Sequence, residues 1–280
     1  MTNKRKAIVV LGMHRSGTSA ITRVLSLLGL GLPERLMLPV SENNEKGFWE
    51  SSAIAEAHDR LLAEVGSSWD DCLRFPPAFY SSEAARNHSA EMIEILHRDF
   101  PSDIDLVIKD PRICRLLPFW IDILDQFGAD PFFVLISRHP LEVAASLARR
   151  DHFLEARSLH LWLRHTLDME HDTRGQPRSL ITYDELLQDW RLTVEKVSSD
   201  LGVPWPNTVD QVRPDVDEFL SPSLRHHRVH EEMPATDNVL SDWVARVHAA
   251  YVSAARHGRP IDDRVLVGVS LALDSAEGVF

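Results

Sequence analysis

The sequence predicts an α/β fold of three layers, with a central parallel sheet flanked by helices. Three observations carry that prediction. Short runs rich in Val, Ile, Leu and Phe alternate with longer helical stretches, as in sheets buried on both faces. The first such run feeds a glycine-bearing loop and then a helical pattern, which is a strand–loop–helix unit. The chain has 280 residues, 44% hydrophobic and 26% charged, so it can bury a core without staples and is neither disordered nor fibrous.

The strands are expected at 6–11, 105–109, 132–136 and 179–182, each a compact aliphatic run. Helices are expected after them at 18–29, 113–127, 140–150 and 184–201, and further ones at 51–65, 82–99, 155–173 and 237–257. Stretches 31–50, 66–81 and 203–236 mix Pro, Gly, Asn and aromatics without periodicity. Long irregular stretches in compact domains serve as functional loops. Residues 1–260 are expected to form one domain. Residues 261–280 are expected to form a tail, either a terminal strand or a loosely docked arm.

Composition bounds the function. The net charge is −12, from 30 Lys and Arg against 42 Asp and Glu. That balance argues against nucleic acid as a partner, because phosphate backbones select basic surfaces. It leaves room for a small anion held by local arginines. Two cysteines, Cys72 and Cys114, make neither a disulfide framework nor a zinc set, and they fit a reducing compartment. Lys4-Arg5-Lys6 before an apolar run imitates a secretory signal, but the run ends at His14-Arg15. It is also too short for a membrane span. The expectation is a cytoplasmic protein without stable membrane insertion.

The strongest local signal is Gly12-Met13-His14-Arg15-Ser16-Gly17-Thr18-Ser19. Its glycines allow a tight turn and close backbone approach to an anion, while the following helix N-terminus and the hydroxyls add donors. A nucleoside-triphosphate loop needs Lys after its second Gly. Thr18 stands there instead, and the cation lies inside the loop as Arg15. A second anion site is read from Arg138-His139-Pro140 with Ser146 eight residues beyond Arg138. Pro140 opens a helix there, Arg supplies a planar fork and Ser a neutral donor.

These motifs resemble those of sulfotransferases that use 3′-phosphoadenosine 5′-phosphosulfate (PAPS). In that family a Lys or Arg, a Ser or Thr, then Gly-Thr and a Ser or Thr form the 5′-phosphosulfate loop. The resemblance implies a P-loop NTPase-like sulfotransferase fold and makes His14, Arg15, Ser16, Gly17, Thr18 and Ser19 donor-binding, with Arg15 also catalytic and His14 shaping the loop. It assigns Arg138 and Ser146 to the 3′-phosphate. Tyr183, in Tyr183-Asp184-Glu185-Leu186, would lie by the adenine or pack in the core. Arg225 and Arg228, in a basic knot with His226, His227 and His230, would close over the 3′-phosphate. No metal is implied.

Transfer of a sulfuryl group to a hydroxyl, or less readily an amine, needs a general base and cations near the leaving oxygen. Asn44-Glu45-Lys46-Gly47-Phe48-Trp49-Glu50 is similar to a string in bacterial members of the family. Glu50 is the first choice of base and Glu45 the second. The competing reading makes Glu50 a helix cap. Ile108-Lys109-Asp110-Pro111-Arg112 at a strand end resembles the family's second catalytic cation, Lys109. Asp110 would orient Lys109 or act as base, and Arg112 would face acceptor or cofactor. The expected acceptor is a carbohydrate, glycolipid or other small hydroxylated molecule, with Trp49, Trp69 and Trp120 as candidate walls. The alternatives are a P-loop kinase or NTPase and a non-catalytic nucleotide-binding protein.

Overall fold

The computed structural model describes residues 4–40, 46–101, 103–220, 238–258 and 261–277. Its strands are β1 (Arg5–Leu11), β2 (Leu106–Lys109), β3 (Ala129–Ser137) and β4 (Arg178–Thr182). They form one parallel sheet in the order β2-β1-β3-β4. The helices are α1 (Thr18–Leu27), α2 (Ser52–Glu64), α3 (Glu83–Asp99), α4 (Leu117–Phe127), α5 (Pro140–Asp151), α6 (Glu155–Asp172), α7 (Tyr183–Gln188), α8 (Trp190–Leu201), α9 (Val209–Phe219), α10 (Val239–His257) and α11 (Asp263–Glu277).

Side chains on β1 alternate between two cores, which is why the strand is apolar throughout. Ala7, Val9 and Leu11 face a layer containing α2, α3, α4, α6 and α10. Ile8 and Val10 face α1, α8 and α9. The chain enters the sheet at β1, crosses to β2 on one side, then to β3 on the other. β1 and β3 therefore flank the point where strand order reverses. Ligands of open parallel sheets bind beyond the carboxyl ends at such a point.

All four expected strands form. The helices form too, with corrections. The stretch 184–201 is two helices, because Asp189 leaves helical geometry and caps α8 by accepting from the Arg191 and Leu192 amides at 3.0 and 3.2 Å. A 3₁₀ turn, Pro111–Arg115, precedes α4, and another, Pro77–Ser81, interrupts the irregular stretch 66–81. The stretch 203–236 contains α9, which opens on a reciprocal cap between Thr208 and Gln211. The tail is neither strand nor arm in its described part. It is helix α11, docked through buried Leu266, Val269 and Leu273. Their spacing of three and four places them on one helical face.

Candidate active site

The loop after β1 is built for close approach. The Gly12 amide donates to the Cys114 sulfur at 3.1 Å, and burial pushes the Cys114 thiol up to about 12. A Cβ on Gly12 would sit 2.5 Å from the Ile136 carbonyl oxygen. Arg15 adopts the left-handed region at φ 70° and Gly17 at φ 92°. Between them the Ser16 amide closes a turn onto the Met13 carbonyl at 3.1 Å. Gly17 then caps α1 without a side chain, and no acidic residue lies in the first turn. The helix start therefore keeps its partial positive charge. The Ser16 hydroxyl is buried without a hydrogen-bond partner, as is that of Ser137 at the end of β3. An orphaned buried hydroxyl beside a positive helix terminus, as at Ser16, fits an oxyanion.

The Arg138 segment closes on the same loop. The Arg138 Nε donates to Glu142 at 2.7 Å, and its Nη1 donates to the Arg15 carbonyl at 3.4 Å. Trp162 donates to the Arg138 carbonyl at 3.1 Å. The guanidinium lies over the Tyr183 ring, 4.9 Å from its centroid. Tyr183 is a core residue and also a wall of the site. A Cβ on Gly17 would lie 2.2 Å from its ring. The motif spacing pairs Ser146 with Arg138, yet the structure gives Ser146 to Arg15, whose Nε donates to its hydroxyl at 2.8 Å. Burial, followed by the charges of Arg150, Arg138 and Arg149, pulls the Arg15 guanidinium down to about 10. A concentration of guanidinium groups in an acidic protein marks the place where an anion lowers the energy most.

A second cluster abuts the loop from β2. Ser51 caps α2 by accepting from the Ile54 amide at 3.3 Å. The cap is thus Ser51, and Glu50 turns inward. Gly47 at φ 96° and Trp49 at φ 58° shape the bend that delivers it. The Lys109 ammonium donates to Glu50, to the Phe48 carbonyl at 3.2 Å and to the Ser19 hydroxyl at 3.2 Å. The last contact joins this cluster to the helix that the loop after β1 opens. Lys109 and Glu50 are both buried. Burial raises the Glu50 carboxyl and Asp110 adds to the rise, against the opposing charges of Lys109 and Arg112.

Asp110 engages other partners. It accepts from the Arg112 amide at 2.9 Å, from Arg112 Nη1 at 3.1 Å and from His58 Nδ1 at 3.0 Å. Trp120 donates to His58 Nε2 at 2.8 Å. That bond needs a lone pair on Nε2, so the ring proton sits on Nδ1 and points at Asp110. Burial works against the charged carboxylate, but Arg112 and His58 more than offset it and hold Asp110 well below its usual range. Arg112 extends the chain to Asp59 at 2.8 Å. Trp120 is fully buried, which corrects its expected place in an acceptor wall.

His58 and Ser137 escaped sequence reading. His58 shares an apolar helix face with Ile54, Leu61 and Leu62, and that position was the available signal. Nothing in the local sequence marks Ser137. Glu45, Arg225, Arg228, His226, His227 and His230 lie outside the described residues. Among the described residues, no three His, Cys, Asp or Glu side chains are placed to share a metal ion, and no helix is long and apolar enough to cross a membrane.

No protein-family model and no curated protein matches the chain. Among solved structures it is similar to the sulfotransferase domain from the Synechococcus PCC 7002 olefin synthase, at 18% identity and a TM-score of 0.47, over 89% of this chain and 97% of that one. It is also similar to the sulfotransferase domain from the curacin biosynthetic pathway, at 16% identity and a TM-score of 0.46, over 87% and 97% of the two chains. Both are sulfotransferase domains.

Proposed function

We propose that this chain is a sulfotransferase that draws on PAPS and delivers to a hydroxyl of a carbohydrate or other small molecule. One observation carries the reading. Two motifs separated by more than a hundred residues meet at the switch point, where Arg15 of one donates to Ser146 of the other at 2.8 Å. A loop with its cation inside and Thr18 at the lysine position suits a phosphosulfate anhydride better than a triphosphate.

Bound PAPS supplies the sulfuryl group and a phosphate leaving group. Gly12, Ser16, Gly17 and Thr18 with the α1 terminus would hold the 5′ end, and Arg15 would offset charge growing on the leaving oxygen. Arg138 and Ser146 would hold the 3′-phosphate, with Tyr183 alongside. Glu50, its carboxyl raised by burial, would take the acceptor proton. Once Glu50 is neutral, Lys109 loses its counter-charge and its ammonium becomes available to the transferring group. Asp110, tied to Arg112 and His58, would brace the strand end and not accept the proton.

Calorimetry with 3′-phosphoadenosine 5′-phosphate tests the reading. Binding without Mg²⁺ and in preference to ATP, together with label transfer from sulfur-35 PAPS to a hydroxylated acceptor, supports it. Magnesium-dependent preference for ATP overturns it.

A further inference from the structure

The mechanism above leaves one cluster beside the phosphate loop unused. Trp69 and Phe153 stack, with ring centroids 5.8 Å apart and planes 18° apart. The Arg150 guanidinium lies over Trp69 at 5.1 Å, and that of Arg157 lies over Phe153 at 4.2 Å. His14 packs against the same indole at 4.6 Å, and its Nε2 is buried without a hydrogen-bond partner. Trp69 and Phe153 are half-buried, so the wall is partly open to solvent.

The cluster is continuous with the proposed reaction centre. His14 belongs to the loop after β1, and Lys109, which holds Glu50, donates at 3.2 Å to Ser19 in the first turn of the helix that this loop opens. An acceptor whose hydroxyl meets Glu50 and Lys109 would therefore extend past His14 onto the Trp69–Phe153 wall. A ring or an apolar body suits stacked aromatics. Arg157 is engaged by Asp70 at 2.6 Å. Arg150 meets Asp151 through its Nε at 2.7 Å, which leaves the two-nitrogen edge of its fork for an oxyanion. Burial, then Arg150, holds the His14 imidazole well below its usual range, so the ring is an uncharged part of the wall.

We infer that the acceptor carries an anionic group on a ring-containing body, with Arg150 as the residue that selects for the charge and Trp69, Phe153 and His14 as the wall beneath it. The inference rests on the sulfotransferase reading and deepens it. Its test uses the full chain saturated with 3′-phosphoadenosine 5′-phosphate and a matched pair of probes, p-nitrophenyl β-glucuronide and p-nitrophenyl β-glucoside. They differ only at C6, a carboxylate in one and a hydroxymethyl group in the other. The glucuronide is expected to bind about 10-fold more tightly, as one charged hydrogen-bonding pair provides. Arg150→Gln, held saturated with the same nucleotide, is expected to bring the two probes within about 3-fold of each other. Equal binding of the pair, binding of neither, or an Arg150→Gln variant that keeps the full preference overturns the inference. Should that variant fail to fold, salt reads the same charge. The wild-type preference should shrink between roughly 50 and 500 mM NaCl, and a preference that ignores salt overturns the inference. The nucleotide affinity alone reports on the underlying sulfotransferase reading, so the two can fail separately.

Discussion

At the scale of single residues, the proposed chemistry rests on Arg15 and Glu50. Arg15 is half-buried, shares its surroundings with other guanidinium charges and is anchored to Ser146. Arg15→Ala should lower kcat by about 100-fold, the effect of removing one preorganised charge from a reacting centre. Steady-state kinetics at saturating donor is the measurement, and unchanged turnover would remove the assignment. Arg138→Ala should instead raise the donor KM, with little loss of kcat once donor saturates. Glu50→Gln should lose about 10² to 10⁴ in kcat, the usual reach of a general base. Because burial raises the Glu50 carboxyl, the acidic limb of the wild-type rate profile should lie above the pH at which an exposed glutamate titrates. A fully active Glu50→Gln would move the base to Glu45. Arg15, Arg138 and Lys109 were legible in the sequence because cations at the ends of aliphatic runs need a reason to be there. His58 was not, because a histidine on an apolar helix face reads as core until Trp120 and Asp110 are seen to take up its two nitrogens.

At the scale of elements, the phosphate loop is set by what cannot fit. Gly17→Ala would place a methyl group 2.2 Å from the Tyr183 ring, in a backbone region at φ 92° that side chains disfavour. It should abolish nucleotide binding by calorimetry and lower stability by about 1–3 kcal/mol in denaturant titration. Ordinary stability with intact binding would contradict the packing of that ring on the loop. The four strands were legible because parallel strands buried on both faces are short, continuous and aliphatic. The break at Asp189 and the start of α9 at Thr208 depend on side-chain caps, which hydrophobic periodicity does not register, although Thr208 and Gln211 stand at capping-box spacing. Helix α11 was misread because its small and apolar residues suit strand and helix alike. Leu273→Ala should cost about 2–4 kcal/mol, since Leu273 is buried in the main core and the substitution opens a cavity there.

At the scale of the whole molecule, acid stability should follow Asp110. Its folded-state carboxyl is held well below its ordinary value. It therefore contributes stability above an unfolded carboxylate's titration near pH 4, and that contribution drains away as pH falls toward the folded value. Asp110→Asn should lower neutral-pH stability by on the order of 3 kcal/mol, because Arg112 loses a buried partner. It should also flatten the fall in Tm below about pH 4. A variant with an undiminished acid limb would show that other carboxylates set it.

Helix α5 supplies Ser146 to one arginine and Glu142 to the other. Both grips are thus mounted on one lever. A tilt of that lever would loosen them together, and losses at Arg15 and Arg138 should prove non-additive in a double-mutant cycle read by nucleotide affinity. A ligand engaging one grip would steady its twin, so half-sized fragments should each bind far more weakly than an equal split of the whole would give.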